Sequence, residues 1–260
     1  MRHYVGLVLV GLALSACGKT PPKPTNATAA ADPRSAVTPY GTYRARPPRD
    51  GVFAFLGVPY ARQPIGEWRW REAALPDSSS RGFDAFAFGH TALQPLDENE
   101  PASATPQGED CLSLNVWTRG SGAGPRPVLV WIHGGSNVSG GTADPGYDGH
   151  NFVRGNNVVL VSINYRLGPF GFLDLSEIGG PEYARSRNLG LLDQLAALRW
   201  VRANIAAFGG DARNITVFGE SAGGSAIMRL LGMPLARGLF DKAIIESGGP
   251  ANIKIRGYPK

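Results

Sequence analysis

Four short apolar tracts occur from residue 128 onward, and each has the length of one strand. The tracts are 128–132, 158–163, 215–218 and 243–245. They are rich in β-branched residues, and their apolar character is continuous and does not alternate. A continuous apolar run is typical of a strand that is covered on both faces, as in a parallel sheet. The pattern therefore predicts buried parallel strands at these four positions.

Apolar residues spaced three or four positions apart predict helices between these strands. From Asn188 to Phe208 they fall on one helical face, and Gly209-Gly210 marks the end of that helix. A shorter helix is predicted from Ala222 to about Leu231. Alternating strands and helices imply right-handed crossovers. We therefore expect an α/β fold with a mostly parallel sheet and flanking helices.

The N-terminal segment differs in composition from the rest of the chain. Residues 1–16 join a short basic start to an apolar stretch, which predicts a secretory signal peptide too short to span a bilayer. Leu14-Ser15-Ala16-Cys17 resembles a bacterial lipobox, in which Cys17 is acylated. The alternative is an ordinary cleaved signal with an unrelated cysteine nearby. We expect a lipid-anchored protein of the bacterial cell envelope, on the periplasmic side of the outer membrane, or a secreted one.

The segment after the predicted signal has no apolar periodicity. Residues 17–36 are rich in Pro, Ala and Thr, which predicts an extended, solvated tether. Residues 37–260 are the predicted folded domain. Within it, the glycine-rich stretch 120–124 runs into Pro125 and joins no strand to a helix. It is therefore interpreted as a flexible loop and not as a nucleotide-binding loop.

Composition excludes several classes of protein. Of the 260 residues 43% are hydrophobic, 35 are Gly and 21 are Pro, which excludes collagen-like and disordered chains. Two cysteines are too few for a disulfide scaffold, and no His/Cys group has metal-ligand spacing, so no metal is expected. The net charge is +5, but only 18% of residues are charged and the basic residues form no long run. Nucleic acid is therefore not an expected partner.

The candidate chemistry lies in Gly219-Glu220-Ser221-Ala222-Gly223. A bare G-x-S-x-G pattern is a weak signal, but this one directly follows a predicted strand and directly precedes a predicted helix. A sharp turn there would lift the Ser221 hydroxyl clear of the sheet, and the flanking glycines would let neighbouring backbones approach. The alternative is a plain glycine-rich turn between a strand and a helix.

A second candidate element, His133-Gly134-Gly135-Ser136, follows the strand at 128–132. A glycine-rich turn at this place can direct successive backbone N–H groups into a cleft, where they would stabilise an oxyanion. For His133 we favour a structural role, in which the ring holds the turn by hydrogen bonds. A role as general base is the alternative.

Several further motifs occur together with these two. They are Phe55-Leu56-Gly57-Val58-Pro59-Tyr60-Ala61, Glu109-Asp110-Cys111-Leu112-Ser113-Leu114-Asn115-Val116-Trp117, Asn164-Tyr165-Arg166-Leu167-Gly168, Asn188-Leu189-Gly190-Leu191-Leu192-Asp193-Gln194 and Phe208-Gly209-Gly210-Asp211. Because these motifs occur in this order and with this spacing, the chain resembles the type-B carboxylesterases from about Val37 to Gly249. This family is the cholinesterase-like branch of the α/β hydrolases. The resemblance implies the α/β-hydrolase fold.

The resemblance also implies a role for individual residues. By this resemblance Ser221 is expected to be the nucleophile of a serine carboxylic ester hydrolase, and the backbone N–H groups of Gly135, Ser136 and Ala222 are expected to form the oxyanion hole. Glu220 lines the site. The implied reaction passes through an acyl-enzyme, takes a small-molecule carboxylic ester as substrate and needs no cofactor.

Outside the immediate site, the resemblance implies an ion pair between Arg69 and Glu109. It also implies a disulfide partner for Cys111, at a place where this chain has Ala92. We therefore expect Cys111 to be an unpaired, half-buried thiol.

The remaining differences between this chain and the family pattern concern the catalytic triad. The family's triad acid and histidine follow later strands, and neither has a counterpart in this chain; His90 and His150 match no catalytic position. We therefore expect that the C-terminal strands and helices of the fold are missing and that the chain is inactive alone. Two alternatives remain open, a non-catalytic binding protein and one half of a split or frameshifted esterase with a separate C-terminal half as partner.

Overall fold

A computed structural model of the chain describes residues 32–95, 105–120 and 124–249. All of these residues belong to one unit, Ala31–Lys260. The predicted signal peptide, Cys17, most of the predicted tether and the centre of the 120–124 loop lie outside the described residues. None of the described helices combines the length and the apolar composition that crossing a bilayer requires.

The described residues form eleven strands and four α-helices. The strands are β1 (Ser35–Thr38), β2 (Gly41–Ala45), β3 (Phe53–Pro59), β4 (Gly82–Ala85), β5 (Thr91–Ala92), β6 (Gln107–Gly108), β7 (Ser113–Thr118), β8 (Arg126–Ile132), β9 (Val159–Ile163), β10 (Gly210–Glu220) and β11 (Lys242–Glu246). The helices are α1 (His150–Gly155), α2 (Gly168–Phe172), α3 (Leu189–Asn204) and α4 (Ala222–Leu231). All four predicted strands and both predicted helices are confirmed.

The main sheet has six strands in the order β11-β10-β8-β9-β7-β3. The first four are parallel neighbours, whereas β7 and β3 pair in the antiparallel sense. Two smaller sheets, β1-β2-β4 and β5-β6, lie outside it. A mostly parallel sheet is thus confirmed, and its carboxyl ends bring the turns after β8 and β10 to the same edge, because these two strands are parallel neighbours.

The two faces of the main sheet are covered unequally. On one face, alternate residues of β8, β9 and β10 pack in a large core with the apolar residues of α3 and α4. On the other face, Val153 of the six-residue helix α1 packs with Leu160 and a few neighbours. Coverage on both faces is therefore correct for β9. It is wrong for β8 and β10, where Leu129, Trp131 and Phe218 are half-buried. It is also wrong for β11, which is exposed along its whole length.

Helix α3 supplies much of the larger core. Its residues Leu192, Leu195, Leu198 and Val201 are all buried, and each such side chain contributes about 1.5–3 kcal/mol to folding. The α-helix ends at Asn204, earlier than predicted, and continues as a 3₁₀ turn to Phe208. Gly209 then closes the turn with a φ of 81°, a conformation that glycine adopts without strain.

The folded part begins slightly earlier than predicted. The tether was expected to end at residue 36, but β1 starts at Ser35 and pairs with β2. Ala36 is 1% exposed and belongs to the larger core. Its burial against the neighbouring strand fixes residues 35 and 36 within the domain, although their composition is that of the preceding segment.

Candidate active site

Ser221 occupies the turn between β10 and α4. Its φ and ψ angles are 54° and −116°, which a residue other than glycine adopts at a cost of about 1–3 kcal/mol. Two backbone hydrogen bonds hold the turn. The N–H of Ser221 donates to the carbonyl of Glu246 over 2.9 Å, and the N–H of Ser225 donates to the carbonyl of Ser221 over 2.9 Å. The predicted arrangement of strand, sharp turn and helix is present.

Glycines surround Ser221 because other backbone segments pass within contact distance. A Cβ atom at Gly223 would lie 2.1 Å from the carbonyl oxygen of Ile132, and one at Gly219 would lie 2.7 Å from the same oxygen. A Cβ at Gly134 would lie 3.2 Å from the Cβ of Ser221. The turn after β8 is therefore packed directly against the turn after β10. This contact is possible only because the glycines have no side chains.

Substitution of Gly223 by Ala should destabilise the fold. The added methyl group meets a backbone oxygen of a central strand, which cannot move without disturbing the sheet, so we expect a loss of about 2–3 kcal/mol. The control is Gly155→Ala, because a Cβ at that helical position meets nothing within 4 Å. Urea unfolding should show Gly155→Ala unchanged or stabilised. Equal stabilities of the two variants would contradict the proposed contact.

The turn after β8 continues as a tight loop from Gly135 to Ser139. Gly135 has a φ of 93°, and its carbonyl accepts hydrogen bonds from the N–H groups of Val138 and Ser139 over 2.9 and 3.0 Å. A Cβ at Gly135 would lie 2.1 Å from the carbonyl oxygen of Ser139, so this position requires glycine. The carbonyl of Asn137 accepts from the N–H of Gly168 over 2.7 Å, which ties the loop to α2.

Three backbone donors around Ser221 are unused. Within the part of the chain that the structure describes, the N–H groups of Gly135, Ser136 and Ala222 donate to no acceptor. Ala222 is the first residue of α4, where a free N–H and the positive end of the helix dipole coincide. The hydroxyl of Ser221 likewise makes no hydrogen bond with a described residue. The structure thus brings the predicted nucleophile to the same strand ends as the predicted donors.

His133 is built into the support of this loop. It is 1% exposed, its ring stacks on Tyr165 with centroids 4.4 Å apart, and its Nδ1 lies 2.9 Å from the carbonyl oxygen of Gly134. Because a carbonyl only accepts, Nδ1 carries the proton. The carbonyl of His133 accepts in turn from the hydroxyl of Tyr165 over 2.8 Å. These contacts favour the structural role over that of a general base, since no hydrogen bond joins His133 to Ser221.

Burial makes His133 a source of acid sensitivity. It lowers the pKa of the ring to about 4, whereas the ring in an unfolded chain has a pKa of about 6.5. Between these pH values the unfolded chain holds more protons, so the free energy of unfolding falls as the pH is lowered. The slope from this ring is at most about 1.4 kcal/mol per pH unit.

Replacement of His133 by Asn should therefore flatten the pH dependence of stability. Between pH 7.5 and pH 5 the parent should lose about 2 kcal/mol more than His133→Asn, measured by urea unfolding. Other titrating groups are shared by both proteins and cancel in the difference. Parallel stability profiles would show that the ring is not buried in its neutral form.

Glu220 lies beside the same loop. A Cβ at Gly134 would lie 3.0 Å from the carboxylate oxygen Oε2 of Glu220. The charge of Glu220 also acts on Tyr147, whose pKa is raised by burial first and by Asp144 and Glu220 second. The predicted site-lining residue is therefore next to both turns, and its carboxylate is oriented towards the loop after β8.

The other described histidines are bonded elsewhere. Nδ1 of His90 lies 2.5 Å from Oδ1 of Asp110, and Nε2 of His150 lies 3.0 Å from the carbonyl oxygen of Arg49. Neither makes a hydrogen bond to Ser221. Among the described residues, Ser221 thus has no histidine within hydrogen-bond distance.

A buried ion pair behind the site was not predicted from the sequence. Arg166 donates from Nε and Nη2 to the carboxylate of Asp193 over 2.7 and 2.6 Å, and the side chains are 3% and 0% exposed. The sequence did contain a signal for such a pair, because Asp193 lies among the apolar residues of a predicted helix. A buried carboxylate needs a cationic partner. The pair joins α3 to the segment after β9.

The predicted pair of Arg69 and Glu109 is formed, with Nη2 and Oε1 2.6 Å apart. Cys111 is free, as expected, but the expectation that it is half-buried is wrong, because the residue is 1% exposed within the larger core. Burial raises the pKa of its thiol well above the ordinary value. Its burial in the larger core removes the thiol from water.

Comparison with known proteins agrees with this architecture. The model of the carboxylesterase family matches residues 40–255. The chain belongs to the carboxylesterase family. A para-nitrobenzyl esterase of Bacillus subtilis (strain 168) is 48% identical over 214 residues, which are 82% of this chain and 43% of that protein. A phenmedipham hydrolase of Pseudarthrobacter oxydans is 46% identical over 76% of this chain and 40% of its own length.

A solved structure shows the same fold. The crystal structure of a carboxylesterase from Geobacillus stearothermophilus superposes with a TM-score of 0.77 at 44% identity, covering 84% of this chain and 45% of that one. The α/β-hydrolase fold predicted by the family resemblance is confirmed. The chain spans less than half the length of each of these relatives.

Proposed function

We propose that this carboxylesterase chain carries the nucleophile and the oxyanion hole of a carboxylic ester hydrolase. The observation that carries the proposal is the strained turn at Ser221, packed on the glycine loop after β8. A serine hydroxyl without a hydrogen-bonding partner and three unused N–H groups adjoin at this place. Strain of this kind persists only where the surrounding structure enforces it, and it is concentrated at functional sites.

In the proposed reaction the Ser221 oxygen attacks the ester carbonyl carbon, and its proton passes to a base. The N–H groups of Gly135, Ser136 and Ala222 stabilise the charge that develops on the carbonyl oxygen. The alcohol leaves with a proton, and water then releases the acid from the acyl-enzyme. Glu220 lines the space in which the substrate lies.

The base must come from outside the described residues. In serine hydrolases a histidine takes the hydroxyl proton, and an acid orients that histidine. We propose that both are supplied by polypeptide that corresponds to the remainder of the relatives. Without that base, only the oxyanion hole and substrate binding assist the reaction, so the 260-residue chain should be a weak catalyst.

A fluorophosphonate probe tests the role of Ser221. The 260-residue chain should be labelled slowly, with the adduct at Ser221, and addition of a polypeptide containing the C-terminal part of a related esterase should accelerate labelling. The rate of hydrolysis of a para-nitrobenzyl ester should likewise be low for the chain alone and higher after the polypeptide is added. Ser221→Ala should abolish both signals.

Ser225→Ala is the matched control for this experiment. Ser225 lies four residues further along α4, and its hydroxyl lies 3.3 Å from the carbonyl oxygen of Gly249. This variant should be labelled like the parent. Equal labelling of Ser221→Ala and the parent, with and without the added polypeptide, would refute the assignment of the nucleophile.

We also propose that the chain is anchored to a membrane of the bacterial envelope through an acylated Cys17. Support comes from the lipobox-like Leu14-Ser15-Ala16-Cys17 and from the polar stretch that separates it from β1. A single lipid chain gives only marginal binding, so stable attachment requires more than one acyl group.

Replacement of Cys17 by Ser should release the protein from the membrane fraction of the producing cell. Incorporation of radiolabelled palmitate should be lost at the same time, because the thiol is the proposed site of acylation. Cys111→Ser is the control, since that thiol is buried in the core. Unchanged fractionation of Cys17→Ser would rule out the anchor.

A further inference from the structure

The edge of the main sheet at β11 presents backbone groups to solvent. β11 is the terminal strand of the order β11-β10-β8-β9-β7-β3, and it pairs with β10 on one side. Within the part of the chain that the structure describes, no strand pairs with its other side. All five of its residues are exposed. An edge of this kind is a template for pairing with a further strand.

A hydrogen bond at the end of β11 shows which backbone groups face outward. The carbonyl of Glu246 accepts from the N–H of Ser221 over 2.9 Å, so the backbone groups of Glu246 face the β10 side. Backbone groups alternate in direction along a strand, so every second residue back from Glu246 also faces β10. The N–H and carbonyl groups of Ala243 and Ile245 therefore face away from the sheet.

The sequence of β11, Lys-Ala-Ile-Ile-Glu, is complementary to itself when two copies run antiparallel. A two-fold axis at Ile244 places Lys242 opposite Glu246 of the second copy. It also places Ala243 opposite Ile245 of the second copy, so the outward backbone groups form the hydrogen-bonded pairs. A shift of register by two residues would place Ile244 opposite a charged residue and would lose both ion pairs. Charge thus selects one register.

Both charges are available for this pairing. Neither Lys242 nor Glu246 forms an ion pair with a described residue. Lys242 donates to Oδ1 of Asn214 over 2.6 Å, but that amide is neutral and leaves the charge of the lysine uncompensated. Many edge strands carry charges or proline that prevent pairing. In β11 the charges stand only at the two ends and have opposite signs, so they favour antiparallel pairing with a second copy.

The same pairing would join two partly covered apolar surfaces. Trp131 of β8, Phe218 of β10 and Ile244 of β11 lie side by side in the register of the sheet. The rings of Trp131 and Phe218 have centroids 4.9 Å apart, and both residues are half-buried. At the two-fold axis the Ile244 side chains of both copies would meet, so this apolar row would continue from one copy into the other. Burial of these side chains removes apolar surface from water.

We propose that β11 is the interface of a homodimer, in which two copies pair antiparallel about Ile244 and join their six-stranded sheets into one. Each copy uses the same strand, so the contact is closed and forms a dimer and not a fibre. The interface is small for a stable complex, and association therefore depends on protein concentration. The proposal requires neither the hydroxyl of Ser221 nor a base, so it does not rest on the proposed function.

Cysteine cross-linking of the full chain tests the register. In a Cys17→Ser background, Ile244→Cys should give a disulfide-linked dimer on mild oxidation. The reason is that opposite residues of a non-hydrogen-bonded pair have Cα atoms about 4.5 Å apart, within the range of a disulfide. The remaining natural thiol, that of Cys111, is buried in the core.

Ile245→Cys in the same background is the matched control. Ile245 is 38% exposed and Ile244 is 46% exposed, so the two thiols would be similarly accessible. Residue 245 of the second copy would lie on the diagonal, about 7–8 Å away, which is too far for a disulfide without movement of the backbone. Equal cross-linking of the two variants, or no cross-linking of Ile244→Cys, would overturn the proposed pairing.

Charge reversal at the strand ends tests the pairing without added cysteines. Sedimentation equilibrium of the Cys17→Ser chain should show monomer and dimer in a concentration-dependent ratio. Lys242→Glu and Glu246→Lys each place like charges opposite each other at both ends of the strand, and each should weaken dimerisation about tenfold or more. The double variant Lys242→Glu/Glu246→Lys should dimerise like the parent, because opposite charges face each other again.

The double variant also separates the proposed pairing from other effects of the substitutions. If it associated as weakly as the single variants, the charges would not face each other and the proposal would be overturned. A parent that stayed monomeric at every concentration would show that residues 250–260 or another polypeptide occupy the edge. Larger assemblies that persisted in both single variants would show non-specific association of apolar surface. Either result would likewise overturn the homodimer.

Discussion

The close approach of two backbone turns is the constraint on which the site depends. The carbonyl oxygen of Ile132 lies where Cβ atoms of Gly219 and Gly223 would be. Only glycines allow β8 and β10 to end at this separation, with α4 starting directly above them. The positive φ of Ser221 follows from the same geometry, since the chain must reverse within one residue. Hydrogen bonds to Glu246 and Ser225 then hold the serine in this conformation.

The loop after β8 is supported by side chains that do not extend to Ser221. Tyr165 supports His133 both through its ring and through its hydroxyl group. Arg166, the next residue, forms the buried pair with Asp193, which fixes the segment after β9 against α3. Removing one partner of a pair buried this deeply would leave an uncompensated charge, at a cost of about 3–5 kcal/mol. The backbone of the loop after β8 is thus supported by contacts other than those of the unused N–H groups.

The two faces of the sheet differ in how completely the described residues cover them. The face under α3 and α4 carries the larger core, and the strands of that core end at Ser221 and at the loop after β8. Among the described helices, α1 packs on the opposite face, and β11 has Ile244 46% exposed and Ile245 38% exposed. The relatives are more than twice as long as the parts that match this chain. The proposed nucleophile and the proposed oxyanion donors lie among the described residues, whereas no described residue supplies the base.

The sequence by itself determined four of the eleven described strands, the two longest helices and the position of the candidate nucleophile. Those features depend on local periodicity and on glycines at fixed offsets, which are properties of neighbouring residues. It did not show that Leu129 and Trp131 are half-buried or that Cys111 is fully enclosed, because burial depends on which distant elements cover a strand. Nor did it pair Arg166 with Asp193 or Tyr165 with His133. Only the tertiary structure decides such contacts, because they join residues that are far apart in sequence and whose chemistry alone allows many partners.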